Sequence, residues 1–85
     1  MKKIIVTVCD AKKRFSGYDI EIPSDVPIGQ LKKDIVETLN SYKASLSLSE
    51  AGVVLSSKRM GRNFKDDETP QSAGIWNGDY IYLNN

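Results

Sequence analysis

From Ile4 to Val8 β-branched residues dominate, and Ile4, Val6 and Val8 fall on one side of an extended segment while Ile5, Thr7 and Cys9 fall on the other. The β-branched residues predict a strand whose core set is Ile4, Val6 and Val8. A polar stretch, Asp10 to Gly17, separates it from a second alternating run, Tyr18-Asp19-Ile20-Glu21-Ile22. Tyr18, Ile20 and Ile22 are expected to face inward and Asp19 and Glu21 to face water. Two such runs joined by a short polar loop predict an antiparallel hairpin, with Gly17 available for unusual turn geometry. Pro23-Ser24-Asp25 closes the second run.

The period then changes. Between Pro27 and Asn40, Ile28, Leu31, Ile35 and Leu39 recur at three- and four-residue steps, which predicts one amphipathic helix. Pro27 suits its entry, Lys32, Lys33, Asp34 and Glu37 take the solvent side, and Asn40-Ser41 is the expected end. Residues 41–51 are serine-rich but carry Tyr42, Leu46 and Leu48, so they read as an ordered connection with room for a helical turn.

Gly52 to Met60 reads as a short strand, a polar turn and a return toward Met60, a second hairpin. Asn63 to Gly74 is polar, with an Asp66-Asp67-Glu68 run and a short helix expected to start at Thr69-Pro70. Gly74 to Asp79 forms a loop with an Asn77-Gly78 turn signal, and Tyr80-Ile81-Tyr82-Leu83 is a final alternating strand.

Composition narrows what such a chain can do. Its 85 residues leave room for one domain, residues 1–85, with a small core and no large internal cavity. Twelve Lys and Arg against eleven Asp and Glu leave a formal charge of +1, so attraction to nucleic acid or anionic membrane would have to come from local patches. There is no His and only one Cys, which removes the commonest general base, the commonest metal ligand and any disulfide framework. Met1-Lys2-Lys3 followed by an apolar run and Cys9 superficially looks like a secretion signal. The run is shorter than the roughly 7 to 15 apolar residues such a signal needs and ends at Asp10, so a strand is the reading adopted. No run approaches a membrane span, and a cytoplasmic chain with a reduced thiol is expected.

The order strand, strand, helix, strand, short strand, strand predicts an α+β fold: a mixed sheet of four to five strands with one main helix across one face. With the last strand returning to the middle, this is the β-grasp arrangement. The residues from Tyr18 to Asp25, followed by Pro27 to Ile35, resemble the second strand, acidic-proline turn and helix of ubiquitin. Gly74 to Leu83 looks like the last loop and strand of ubiquitin-like proteins.

Within that superfamily the chain resembles the small YukD/EsaB-like proteins encoded with bacterial type VII (ESX-like, WXG-type) secretion machinery. The matching features are Val26-Pro27-Ile28-x-x-Leu31 at the helix entry, the long connection after the helix, and Gly74-Ile75-x-x-Gly78-Asp79-x-Ile81-x-Leu83. The resemblance implies a non-conjugated protein-interaction module, an accessory or regulatory component of the secretion system. It also implies protein partners such as the system's membrane ATPase or membrane subunits.

Candidate chemistry is sparse. Ubiquitin and the sulfur carriers react through a flexible tail ending in Gly-Gly, whereas this chain ends Tyr82-Leu83-Asn84-Asn85, which disfavours the sulfur-carrier or conjugating alternative. Cys9 has no His to activate it and reads as incidental. Asp66-Asp67-Glu68 lacks the spaced ligands and glycine of a calcium loop. Lys12-Lys13-Arg14-Phe15 at the first hairpin and Lys58, Arg59 and Arg62 at the second raise a nucleic-acid alternative, because phosphates are met by cations and bases stack on aromatic rings. The nearby acids and the near-neutral total argue against it. No enzymatic activity, cofactor, metal, nucleic-acid partner or direct membrane insertion is expected.

What remains is surface. If Val53, Leu55, Ile81 and Leu83 face the helix, then Val54, Tyr80 and Tyr82 face outward on neighbouring strands, an apolar patch suited to a protein partner. The ubiquitin resemblance points to the same face. Trp76, expected to be partly exposed, is a second candidate.

Overall fold

A computed structural model describes residues 2–49 and 51–84. Met1, Glu50 and Asn85, which enter the readings of the N-terminus, the post-helix connection and the tail, lie outside the described residues. The strands are β1 Lys3–Asp10, β2 Tyr18–Pro23, β3 Val54–Ser57, β4 Arg62–Asn63 and β5 Tyr80–Asn84, in spatial order β2-β1-β5-β3-β4. Helix α1 spans Ile28–Tyr42, a single 3₁₀ turn spans Ala44–Leu46, and a short helix α2 spans Pro70–Ala73.

Register follows the alternation. On β1, Ile4, Val6 and Val8 lie opposite Ile22, Ile20 and Tyr18 of antiparallel β2, so both strands turn their β-branched residues to the same face. On the other side Val8 and Asp10 are beside Ile81 and Leu83 of parallel β5. Leu83 in turn faces Leu55 of antiparallel β3. The five buried residues of α1, namely Ile28, Leu31, Ile35, Val36 and Leu39, join these strand residues in one core cluster. Val36 widens the expected stripe, and burying such a cluster is the main favourable contribution to folding.

Three expectations change. The helix does not stop at Asn40-Ser41 but continues to Tyr42. Asn40 is instead a tie: its side-chain amide donates to the Leu48 carbonyl at 2.9 Å and its oxygen accepts from the Leu48 N–H at 2.8 Å, which holds Leu48 in the core. The second hairpin returns at Arg62–Asn63 rather than by Met60, which lies in the turn and packs partly against the core. Lastly, Phe15 and Phe64, each isolated in a polar stretch, are buried. Phe15 packs toward Tyr18, with ring centres 5.5 Å apart, and Tyr18 toward Tyr42 at 5.2 Å. Phe64 is set beside β3 by its N–H, which donates to the Leu55 carbonyl at 2.8 Å.

The N-terminus of α1 has no side-chain cap. Its first amides instead donate to the loop before α2: Ile28 N–H to the Glu68 carbonyl at 2.7 Å and Gly29 N–H to the Asp66 carbonyl at 3.0 Å. The approach is close: a Cβ at position 29 would stand 3.2 Å from Asp66 Cβ, so any larger residue would press on the loop. The acidic run is therefore structural at two of its three positions. Asp66 also pairs with Lys32, and Glu68 pairs with Arg62. Helix α2 begins where expected, with Thr69 and Ser72 forming a reciprocal capping box around Pro70.

Candidate protein-binding surface

With Ile81, Leu83 and Leu55 turned toward α1, strand alternation sends their neighbours to the opposite face. Ile5, Thr7 and Cys9 of β1, Tyr80 and Tyr82 of β5, and Val54 and Ser56 of β3 share it. Register brings them side by side: Thr7 beside Tyr80, Cys9 beside Tyr82, and Ser56 on the other flank of Tyr82. Tyr80 is 50% exposed, Ile5 47% and Val54 36%, while Tyr82 is half-buried between its strand neighbours. Val54, Tyr80 and Tyr82 thus lie on one outward face, and Ile5 extends it. The signal for Ile5 was its place in the same alternation as Thr7 and Cys9. A shallow depression of about 430 Å³ opens where Tyr82, Val54, Ser56 and Asn63 meet Lys13.

Trp76 is 63% exposed and lies off the sheet, in the loop that leads into β5. Its position is fixed from below. Asp79 accepts from the Trp76 N–H at 2.9 Å and from Nε and Nη2 of Arg59, and Arg59 Nη2 also donates to the Gly74 carbonyl at 2.6 Å. The Arg59 guanidinium then lies over the indole ring, 3.7 Å from its centre. The loop is tied to β1 through Ile5, whose N–H donates to Asn77 Oδ1 at 2.7 Å and whose carbonyl accepts from the Gly78 N–H at 2.6 Å. The Arg59 hydrogen bonds hold the Asp79 carboxyl below the usual carboxylate range despite burial, so it is a charged anchor.

A second carboxylate organises the first hairpin. Asp10, buried at the end of β1, accepts from the Lys12 and Arg14 amides and from two nitrogens of the Arg14 guanidinium. Burial pushes its pKa up, but these donors outweigh it and the carboxyl stays below its ordinary value.

These pairings bear on the nucleic-acid alternative. Arg14, Arg59 and Arg62 are engaged by Asp10, Asp79 and Glu68, and Phe15 is buried, so the ring that was to stack on bases is not presented to solvent. Cys9 is half-buried beside Tyr82. Among the described residues no group of three His, Cys, Asp or Glu side chains is placed to hold a metal ion, and no helix is long and apolar enough to cross a membrane.

The mixed sheet with β5 between β1 and β3 and one helix across it defines a ubiquitin-like β-grasp protein. The family described as WXG100 protein secretion system (Wss), protein YukD, matches residues 3–83, and the chain belongs to that family. No curated protein matches it in sequence. Among solved structures it is similar to the ubiquitin of Caldiarchaeum subterraneum, at 22% identity and a TM-score of 0.77 over 98% of this chain and 92% of that one. It is also similar to the ubiquitin-like domain of the Mycobacterium tuberculosis type VII secretion system protein ECCD1, at 18% identity and a TM-score of 0.76 over the whole of both chains. A chain of the toluene 4 monooxygenase HD complex shares the fold at 13% identity, with a TM-score of 0.78 over 98% of each chain.

Proposed function

We propose that this protein is a cytoplasmic interaction module, an accessory or regulatory component of a bacterial type VII secretion system that acts by binding rather than by catalysis or conjugation. The observation that carries the reading is the outward face of the sheet, which Tyr80, Tyr82, Val54 and Ile5 share by strand alternation, Tyr80, Val54 and Ile5 exposed on it and Tyr82 half-buried. Tyrosine is enriched at protein interfaces because it covers a large area with few rotatable bonds, and adjacent exposed apolar residues mark contact surfaces. Family membership and the fold shared with a secretion-system domain make the machinery's own proteins the first partners to test.

The test is a pull-down from the native cell with wild type and with Tyr80→Ala plus Tyr82→Ala. Loss of secretion-machinery components from the variant, with its melting temperature preserved, is the expected result. Retention of the same partners would overturn the sheet-face reading. Incubation with ATP and activating enzyme, followed by intact mass measurement, separates binding from carrier chemistry, since a carboxyl adenylate or thiocarboxylate would establish the latter.

A further inference from the structure

Among the cations around the outward face, Arg14, Arg59 and Arg62 each have an acid of their own, as does Lys3 with Glu21. Lys13 and Lys58 form no salt bridge among the described residues; Lys58 lies over the Tyr80 ring, and Lys13 lines depressions shared with Tyr82.

Lys58 is held there by the backbone. Its N–H donates to the Tyr80 carbonyl at 3.3 Å, and its ammonium lies 5.3 Å from the Tyr80 ring centre. Lys13 is held by the first hairpin, where its N–H donates to the Asp10 carbonyl at 3.0 Å. Its φ of 59° is a left-handed conformation uncommon for a residue with a side chain, stabilised by the bonds that Asp10 gathers from the residues on either side. Lys13 and Tyr82 line the same two adjoining depressions.

Of the acids nearby, Asp10 serves Arg14 and Asp79 serves Arg59, while Asp19, on the β2 side of the face, accepts from the Thr7 hydroxyl at 2.6 Å and keeps its charge. Among the described residues, the β5 part of the face thus presents two aromatic rings, each with a nearby lysine that forms no salt bridge. We propose that this face receives an acidic protein segment, whose carboxylates meet Lys13 and Lys58 while its apolar side chains cover Tyr80 and Tyr82. The proposal rests on the interaction reading above and names the chemistry of the partner. A peptide suits the face better than a nucleic acid does, because the planar arginine forks best matched to phosphate are engaged within the chain. Charges at the rim of an interface chiefly select partners and speed encounter.

The experiment titrates isotope-labelled protein, followed by amide NMR, with two synthetic peptides of one leucine- and tyrosine-containing framework, one bearing Glu and the other Lys at its polar positions. A single-stranded oligonucleotide is the third probe. The Glu peptide is expected to shift the Lys13, Lys58, Tyr80 and Tyr82 amides and to bind about tenfold more tightly than the Lys peptide. Lys13→Glu plus Lys58→Glu should abolish that preference without changing the melting temperature. Equal binding of the two peptides, no shift at these residues up to millimolar peptide, a preference that survives the charge reversal, or tighter binding of the oligonucleotide would overturn the proposal. The two readings fail separately. If the tyrosine variant loses its cellular partners while the Glu preference is missing, the interaction reading stands and the acidic partner falls.

Discussion

The Arg59 guanidinium lies 3.7 Å from the centre of the Trp76 ring while donating to the Asp79 carboxylate and the Gly74 carbonyl. One side chain thus holds both ends of the loop that carries Trp76, the most exposed large apolar residue among those described. Arg59→Ala would leave the buried Asp79 carboxylate with only the Trp76 amide, and the expected loss is about 1–3 kcal/mol. Trp76→Ala removes only an exposed ring and its cation contact, for a loss on the order of 0.5–1 kcal/mol. Urea unfolding followed by circular dichroism, which reads both variants, checks the difference. Comparable losses would show that the stacked pair is not anchored through Asp79.

Asn40 replaces a loop's missing hydrogen bonds from within a helix. Asn40→Ala should free the Leu48 N–H and carbonyl and cost about 1–3 kcal/mol. Native-state hydrogen exchange should show faster exchange at Leu48, with the amides of β1 changed only by the global loss of stability.

Acid should weaken the fold through its carboxylates. Glu68 is held at about 2, below its ordinary 4.5, by the Arg62 guanidinium and the Lys65 amide, and Asp10 and Asp79 are lowered from 3.8. A lowered folded-state pKa contributes stability that is complete above the unfolded value and is lost as pH falls toward the folded one. The melting temperature should therefore hold to about pH 5 and drop between about 4.5 and 2. Glu68→Gln should flatten that drop while lowering the plateau at neutral pH.

Gly29 tests the contact between α1 and the acidic loop. In an open helix Ala would gain about 1 kcal/mol over Gly. Here the new Cβ would press on Asp66 Cβ and on the Asp66 carbonyl that caps Gly29. Gly29→Ala should gain little or nothing, and Gly29→Val should lose on the order of 1–3 kcal/mol. Chemical denaturation of both variants checks the order.

The alternation of Ile4, Val6 and Val8, the stripe through Ile28, Leu31, Ile35 and Leu39, and the outward setting of Tyr80 were legible because each is a period of two or 3.6 residues within one element. The Thr69-Pro70 helix start was legible for a similar local reason, since a capping residue and a proline act on their own turn. Phe15 and Phe64 were not, because one apolar residue in a polar stretch has no period. The signal they did give was their size: a large ring between charged residues needs somewhere to go. The short return strand of the second hairpin was expected but its place was not, since two positions cannot alternate visibly and the return at Arg62–Asn63 depends on pairing with Ser56 and Ser57.

The amino-acid sequence by itself determined which segments are strands and which is the helix, which of their faces is apolar, and that the chain resembles a ubiquitin-like secretion protein. Tertiary structure decided what those faces meet. Only the pairing of β5 with β1 and β3 sets Tyr82 between Cys9 and Ser56. Only the folded loops place Arg59 on Trp76, Asn40 on Leu48, Lys58 over Tyr80, and Lys13 at the depressions it shares with Tyr82. Propensity and periodicity act over a turn of helix or a few strand residues, whereas these contacts join residues distant along the chain. They exist only after burial of the common core has fixed the register.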